Sequence, residues 1–183
     1  MSSKLTQTEL GEEFGISSIA MGKKLVELKL RDSKTKLATQ YALDNHFAKI
    51  VNYQKGSEVV KMNVWYSNII EHIQKKTKKD FNFCAEVLFG KIKELKKIED
   101  NDSGQKIDQW LFDSAHESFL SYYQKYSENL DILCLLLKKL KKGNLLEFSS
   151  RFNELKNLNS IILNHNLSKK LETKNTKEKI VKI

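Results

Sequence analysis

Residues 5–28 read LTQTELGEEFGISSIAMGKKLVEL, and the fold is decided there. Thr6 and Glu9 stand three apart as a capping box. The Thr6 hydroxyl reaches the first-turn amides and the Glu9 carboxylate reaches back to the cap, so a helix starts at this point. Leu10 and Phe14 share one face, and Gly15 follows at once as a left-handed stop that needs no side chain. Ile16 then turns inward and Ser17 caps a second helix, on which Met21, Leu25 and Leu28 fall at i, i+4 and i+7. The small residues Gly11 and Gly15 suit two helices that cross steeply through a short turn and approach closely there.

Outward from this pair, Arg31 to Lys36 reads as a polar loop and Leu37 to about Val51 as a third helix carrying Leu37, Tyr41, Leu43 and Phe47. The stretch Tyr53 to Glu58 looks like a hairpin tip, with Val59, Val60, Met62, Val64 and Trp65 as its return strand. A helix from Asn68 to about Lys76 places Ile69, Ile70 and Ile73 inward. A hairpin after three helices is a wing, so residues 1–74 read as a winged helix-turn-helix domain with a small β-hairpin.

The rest of the chain reads as all-helical, making the whole mainly α. Phe81 to Ile98 carries Phe83, Val87, Leu88, Ile92 and Leu95 on one face, and Glu99 to Gln105 is the clearest linker. Ile107 to Tyr126 holds Trp110, Phe112, Phe119, Tyr122, Tyr123 and Tyr126, read as core at helical spacing. After a helix from Leu130 to Leu140, Leu145, Phe148, Phe152, Leu155 and Ile162 continue a three-four spacing through one last long helix. Residues 75–167 thus form a helical interaction or dimerisation region, with the Leu145–Ile162 seam as the carrier of a homodimer. Residues 168–183 form a basic tail expected to fray.

The 183 residues carry 40% hydrophobic and 30% charged side chains, a globular composition. No apolar run of membrane-spanning length and no apolar leader is present, which predicts a cytoplasmic protein without a membrane partner. Cys84 and Cys134 sit in apolar helical patterns and read as small hydrophobes. His46, His72, His116 and His165 are scattered as surface or interface residues, without ligand spacing, so no metal and no cofactor is expected. No phosphate loop, nucleophile elbow or paired acidic motif appears, which predicts no enzyme. The net charge is +9. Residues 1–73 hold ten basic and eight acidic side chains, and the remainder holds 22 and 15, so charge alone does not single out the first domain.

The segment from Leu5 to Ser18, followed by Gly22 to Asp32, resembles the helix-turn-helix of phage antirepressor and prophage regulator proteins. It is similar to their T-x-x-E-L-G and F-G-I-S pattern over about residues 4–72. The resemblance implies sequence-specific duplex DNA binding and gene control, usually as a dimer, in a phage, plasmid or bacterial regulator.

The residues themselves suggest where DNA would be met. With Met21, Leu25 and Leu28 inward, Ser18, Ala20, Lys23, Lys24 and Glu27 are left outward on the second helix. Residues 17–36 contain Lys23, Lys24, Lys29, Arg31, Lys34 and Lys36 against Glu27 and Asp32. Helix one carries Glu9, Glu12 and Glu13, a polarity that presents the second helix to phosphates. Ser17 and Ser18 lie at that helix's N-terminus, where amides and hydroxyls bind phosphate. Lys55, Ser57 and Lys61 on the hairpin would touch neighbouring backbone. Lys75 to Lys79 extends such a track, whereas Lys138 to Lys142 reads as the wet side of a helix end. These contacts position more than they specify, because no Arg, Asn or Gln lies on the outward face of the second helix. The same surface serves two other expectations. One is a non-enzymatic interaction module, a phage-type inhibitor or adaptor that uses the winged helix as a scaffold. The other is a packaging factor that binds DNA without sequence preference.

Overall fold

The computed structural model describes the backbone of residues 3–101 and 109–180, and side chains as far as Lys169. The described residues are mainly helical with one three-stranded antiparallel sheet. They fall into two compact units that divide between Phe83 and Cys84.

In the first unit the capping box forms as the sequence demands. The Thr6 N–H donates to Glu9 Oε2 at 2.6 Å and the Glu9 N–H donates to Thr6 Oγ1 at 3.2 Å, opening helix α1 (Gln7–Glu13). Gly15 takes φ of 63°, and Ser17 caps helix α2 (Ser18–Glu27) by accepting from the Ala20 N–H. Between the helices Gly11 accepts from the Ile16 N–H at 2.9 Å, and a Cβ added at Gly11 would lie 2.7 Å from the Ile16 carbonyl oxygen. This close crossing is why position 11 has no side chain.

Helix α2 ends in a Schellman closure. The Lys29 N–H donates to the Val26 carbonyl and the Leu30 N–H to the Leu25 carbonyl, with Lys29 left-handed at φ of 59°. A lysine in that region bears a steric penalty that glycine escapes. Lys29→Gly is therefore expected to stabilise the first unit by about 0.5–1 kcal/mol after the larger unfolded-state entropy of glycine is offset. Urea unfolding of the two chains checks it.

The third helix is much shorter than its sequence suggested: α3 spans Gln40–Asp44, capped by Thr39. His46 turns left-handed at φ of 55°, and strand β2 (Ala48–Lys55) has begun where the helix was expected to continue. Strand β3 (Glu58–Tyr66) pairs with β2 throughout, and Gly56 at φ of 62° makes the turn. A two-residue strand β1 (Lys4–Leu5), which the sequence did not announce, pairs with the far edge of β3. The sheet order is thus β1-β3-β2. Helix α4 (Asn68–Thr77) follows, and Leu10, Phe14, Met21, Leu25, Leu30, Trp65, Ile69 and Ile73 are all fully buried. At roughly 1.5–3 kcal/mol for each such side chain, this cluster is the main source of the unit's stability. Leu28, the cap residue of α2, is only half-buried.

Helix α5 (Phe81–Asn101) runs across the division, so Glu99–Asn101 are helical rather than linker. Residues 102–108, which hold the remainder of the expected linker, as far as Gln105, and the expected start of the next helix at Ile107, lie outside the described residues. In the second unit, helices α6 (Gln109–Tyr126) and α7 (Leu130–Lys142) form as expected. Phe119, Tyr122 and Tyr126 are buried and Phe112 and Tyr123 are half-buried, but Trp110 is 77% exposed and so is not core. It lies off the stripe made by Phe112, Ala115, Phe119, Tyr122 and Tyr126.

The last long helix is broken. It consists of α8 (Leu146–Ser149), a stretch of turns, and α9 (Leu158–Ile180). Ser149 and Ser150 donate their hydroxyls to the Leu146 and Glu147 carbonyls, side chain-to-backbone bonds that compete with helix continuation. The backbone of α9 stays helical past Ser168, where fraying was expected, and residues 181–183 lie outside the described residues. The seam expected to carry a homodimer is used inside the chain: Leu145, Phe148, Phe152, Leu155 and Ile162 are all buried. Phe152 packs on His116, Phe119 and Phe148 at ring separations of 5.3, 5.7 and 5.3 Å. Neither Cys84, which is buried, nor Cys134, which is half-buried, is in a disulfide. No helix among the described residues is long and apolar enough to cross a membrane.

Candidate functional site

Helix α2 buries Met21, Gly22 and Leu25 and leaves Ile19, Lys23 and Glu27 as its exposed stripe, at i, i+4 and i+8. Ile19 is 74% exposed, which no packing requirement of this unit explains. Ser17 is exposed, with its hydroxyl engaged as the helix cap. Ser18 is half-buried, and its carbonyl and hydroxyl oxygens accept from Gln7 Nε2 at 2.7 and 3.3 Å. Gln7 therefore pins the start of α2 to the start of α1.

Lys24 is not an outward cation. Its ammonium donates to Asp80 Oδ2 at 2.7 Å and to Glu27, lies 5.0 Å from the Phe83 ring centroid, and leaves the side chain only 13% exposed. The sequence placed Lys24 outward because its anchor stands 56 residues away. Burial alone would raise the Asp80 carboxyl, but the hydrogen bonds from Lys24 and from the Phe83 N–H hold it below the ordinary carboxylate range. The reciprocal bonds from Asp80 and Glu27 raise the Lys24 ammonium against its own burial.

Lys24→Ala is expected to destabilise the first unit by about 1–2 kcal/mol, the sum of a partly exposed ion pair and a ring contact. The Asp80 contribution is present above the ordinary carboxylate value near pH 4 and fades as pH falls through the lowered folded value. The variant should therefore lose less stability than the parent chain when denaturant midpoints are compared between about pH 5 and pH 2.

The other cations divide into two groups. Lys29 and Lys34 are exposed in the loop, where Asp32 Oδ1 accepts from the Lys34 and Thr35 N–H groups. Lys55 and Ser57 stand exposed at the hairpin tip beside Tyr53 and Val59, which are 55% and 63% exposed. Arg31, Lys36 and Lys61 instead line one cleft, of about 270 Å³, together with Gln7, Asn63 and Trp65. Asn63 fastens the loop to β3 by accepting from the Ala38 N–H at 2.7 Å and donating to the Lys36 carbonyl at 2.9 Å. Gln7, Ile19, Asn63 and Trp65 were not read as site residues from sequence. Ile19 was the one with a signal, being apolar on a face away from Met21 and Leu25.

No group of metal-ligating side chains occurs among the described residues. His72 stacks on Phe47 at 4.4 Å and is lowered by burial and by Lys76 and Lys75. His116 is half-buried between Phe119 and Phe152, not a surface residue. Lys75, Lys76, Lys78 and Lys79 are exposed. In the second lysine run Lys139 pairs with Glu86, while Lys138, Lys141 and Lys142 are exposed. Comparison with family models, with curated proteins and with solved structures returned no match for this chain.

Proposed function

We propose that the first unit is a winged helix-turn-helix domain that binds duplex DNA, in a regulator of phage, plasmid or bacterial origin. The observation that supports this most is the outward stripe of α2. Ile19 and Lys23 stand exposed on a helix whose opposite face and N-terminal turn are fastened to α1. In this reading α2 enters the major groove, where Ile19 supplies an apolar surface for thymine methyl groups and Lys23 meets a phosphate or a guanine edge. Lys29 and Lys34 flank it, and Lys55 and Ser57 carry the hairpin tip to the adjacent backbone. Lys24 is withdrawn from the contact set, since it holds the fold.

Binding by phosphate contacts has a definite signature. Each neutralised phosphate adds about 0.9 to the slope of log affinity against log salt, so four to five contacts give a slope near −4. Fluorescence-anisotropy titration of duplex DNA at two salt concentrations should show that fall, and Lys23→Ala should weaken binding and reduce the slope by about 1. Absence of binding at low salt refutes the reading.

A second reading rests on the exposed apolar residues. Ile19, Tyr53 and Val59 in the first unit, and Trp110 in the second, are the type of side chain that anchors a protein interface. A non-enzymatic adaptor or inhibitor would use them, and its affinity would respond little to salt.

A further inference from the structure

The cleft beside β3 has a composition that the groove-facing surface of α2 lacks. Among the described residues three cations line it, Arg31, Lys36 and Lys61, and no carboxylate does. Trp65 also lines it, fully buried, with an indole Nε1–H that finds no acceptor among the described residues. A buried donor left unpaired costs free energy and calls for a partner. Arg31 is held in place: its Nε donates to the Lys36 carbonyl at 2.9 Å, and its Nη1 end packs where Gly22 lacks a side chain. A Cβ at Gly22 would lie 2.8 Å from Nη1 and 2.7 Å from Gln7 Nε2, so the glycine makes room for both.

We propose that this cleft is a phosphate-binding site. A guanidinium fixed by one of its own nitrogens keeps its remaining N–H groups for oxyanions; the exposed Lys61 ammonium adds a mobile charge, and the Lys36 ammonium, which also donates to the Ser33 carbonyl, adds a tethered one. At about 270 Å³ the cleft falls just below the range of about 300–1,000 Å³ typical of whole small-molecule sites, and suits a phosphate with part of what bears it. The phosphate has two possible sources, a free phosphate or phosphomonoester, and a diester of the nucleic-acid backbone. The assignment goes beyond the DNA reading, because a free phosphate would satisfy it without any duplex.

The test uses the full chain carrying Trp110→Phe, which leaves Trp65 as the emitting indole. Its emission is followed during titration with inorganic phosphate, with a nucleoside 5′-monophosphate and with a short DNA duplex, chloride holding ionic strength constant. A saturable change is expected with at least one of the three. Lys61→Gln, a substitution at an exposed position, should weaken that response about tenfold or more, as loss of a charge-assisted hydrogen bond requires. Response to the small phosphates assigns the site to a free ligand, and response to the duplex alone assigns it to a backbone diester. No saturable change with any of the three, or an unchanged response in Lys61→Gln, overturns the proposal. Duplex binding that depends on Lys23, with Trp65 emission unaltered by all three titrants, sinks the cleft and spares the DNA reading. Phosphate saturation without duplex binding does the reverse.

Discussion

Phe152→Ala is expected to lower the stability of the second unit by about 3–5 kcal/mol, with a denaturant midpoint that does not depend on protein concentration. Phe152 is 5% exposed and its ring meets His116, Phe119 and Phe148 at 5.3–5.7 Å, so truncation leaves a cavity among rings that backbone elements hold apart. Aromatic pairing adds about 0.5–1.5 kcal/mol beyond the area lost. The concentration test matters because these same residues had the spacing of a dimer seam. Were the seam between chains, the midpoint would rise with concentration by mass action. Chemical denaturation at two concentrations a hundredfold apart separates the outcomes.

Gly11→Ala is expected to destabilise the first unit by about 1–2 kcal/mol, although alanine favours a helix over glycine by about 1 kcal/mol. The added methyl would sit 2.7 Å from the Ile16 carbonyl oxygen and 3.3 Å from the Ser17 carbonyl carbon. Both obstacles are backbone, so no rotamer relieves the contact. The turn must open instead, straining the bond from the Ile16 N–H to the Gly11 carbonyl that closes it. Gly22→Ala is the internal control. It faces side-chain ends, those of Gln7 and Arg31, rather than backbone; their shift strains the Gln7 bond to Ser18 and the Arg31 bond to Lys36 but leaves the turn closed, so it should cost less than Gly11→Ala in the same urea titration.

The two glycines show what local sequence conveys. The α1–α2 turn was legible because every signal in it is local: the Thr6–Glu9 box, the left-handed Gly15, the Ser17 cap and the small Gly11. The α3 boundary was not. A left-handed His46 ends the helix, and pairing with β3 then extends residues 48–55, which neither apolar spacing nor propensity over Leu37–Val51 reveals. The break before α9 coincides with two serine hydroxyls bonded back to their own helix, a feature that apolar periodicity does not register.

At the candidate site the divide is between outward and tethered. Lys23 and Lys24 are neighbours of identical chemistry, yet one is exposed and the other is tied to Asp80 and capped by Phe83. Nothing within a helical turn distinguishes them. In the same way Arg31 and Lys36 read as part of the basic stretch around the second helix and Lys61 as a separate hairpin contact, and nothing local puts the three on one cleft until β3 pairs with β2 and Asn63 fastens the loop beside it.

Whether the first unit meets duplex DNA with the outward face of α2 and the hairpin tip is decided by amide chemical-shift mapping of the full chain during titration with duplex DNA. Shifts are expected to concentrate at residues 17–23 and 53–58, with the buried face of α2 and the amides of α7 unmoved. Shifts confined to residues outside the first unit, or no shifts at low salt, would contradict that contact.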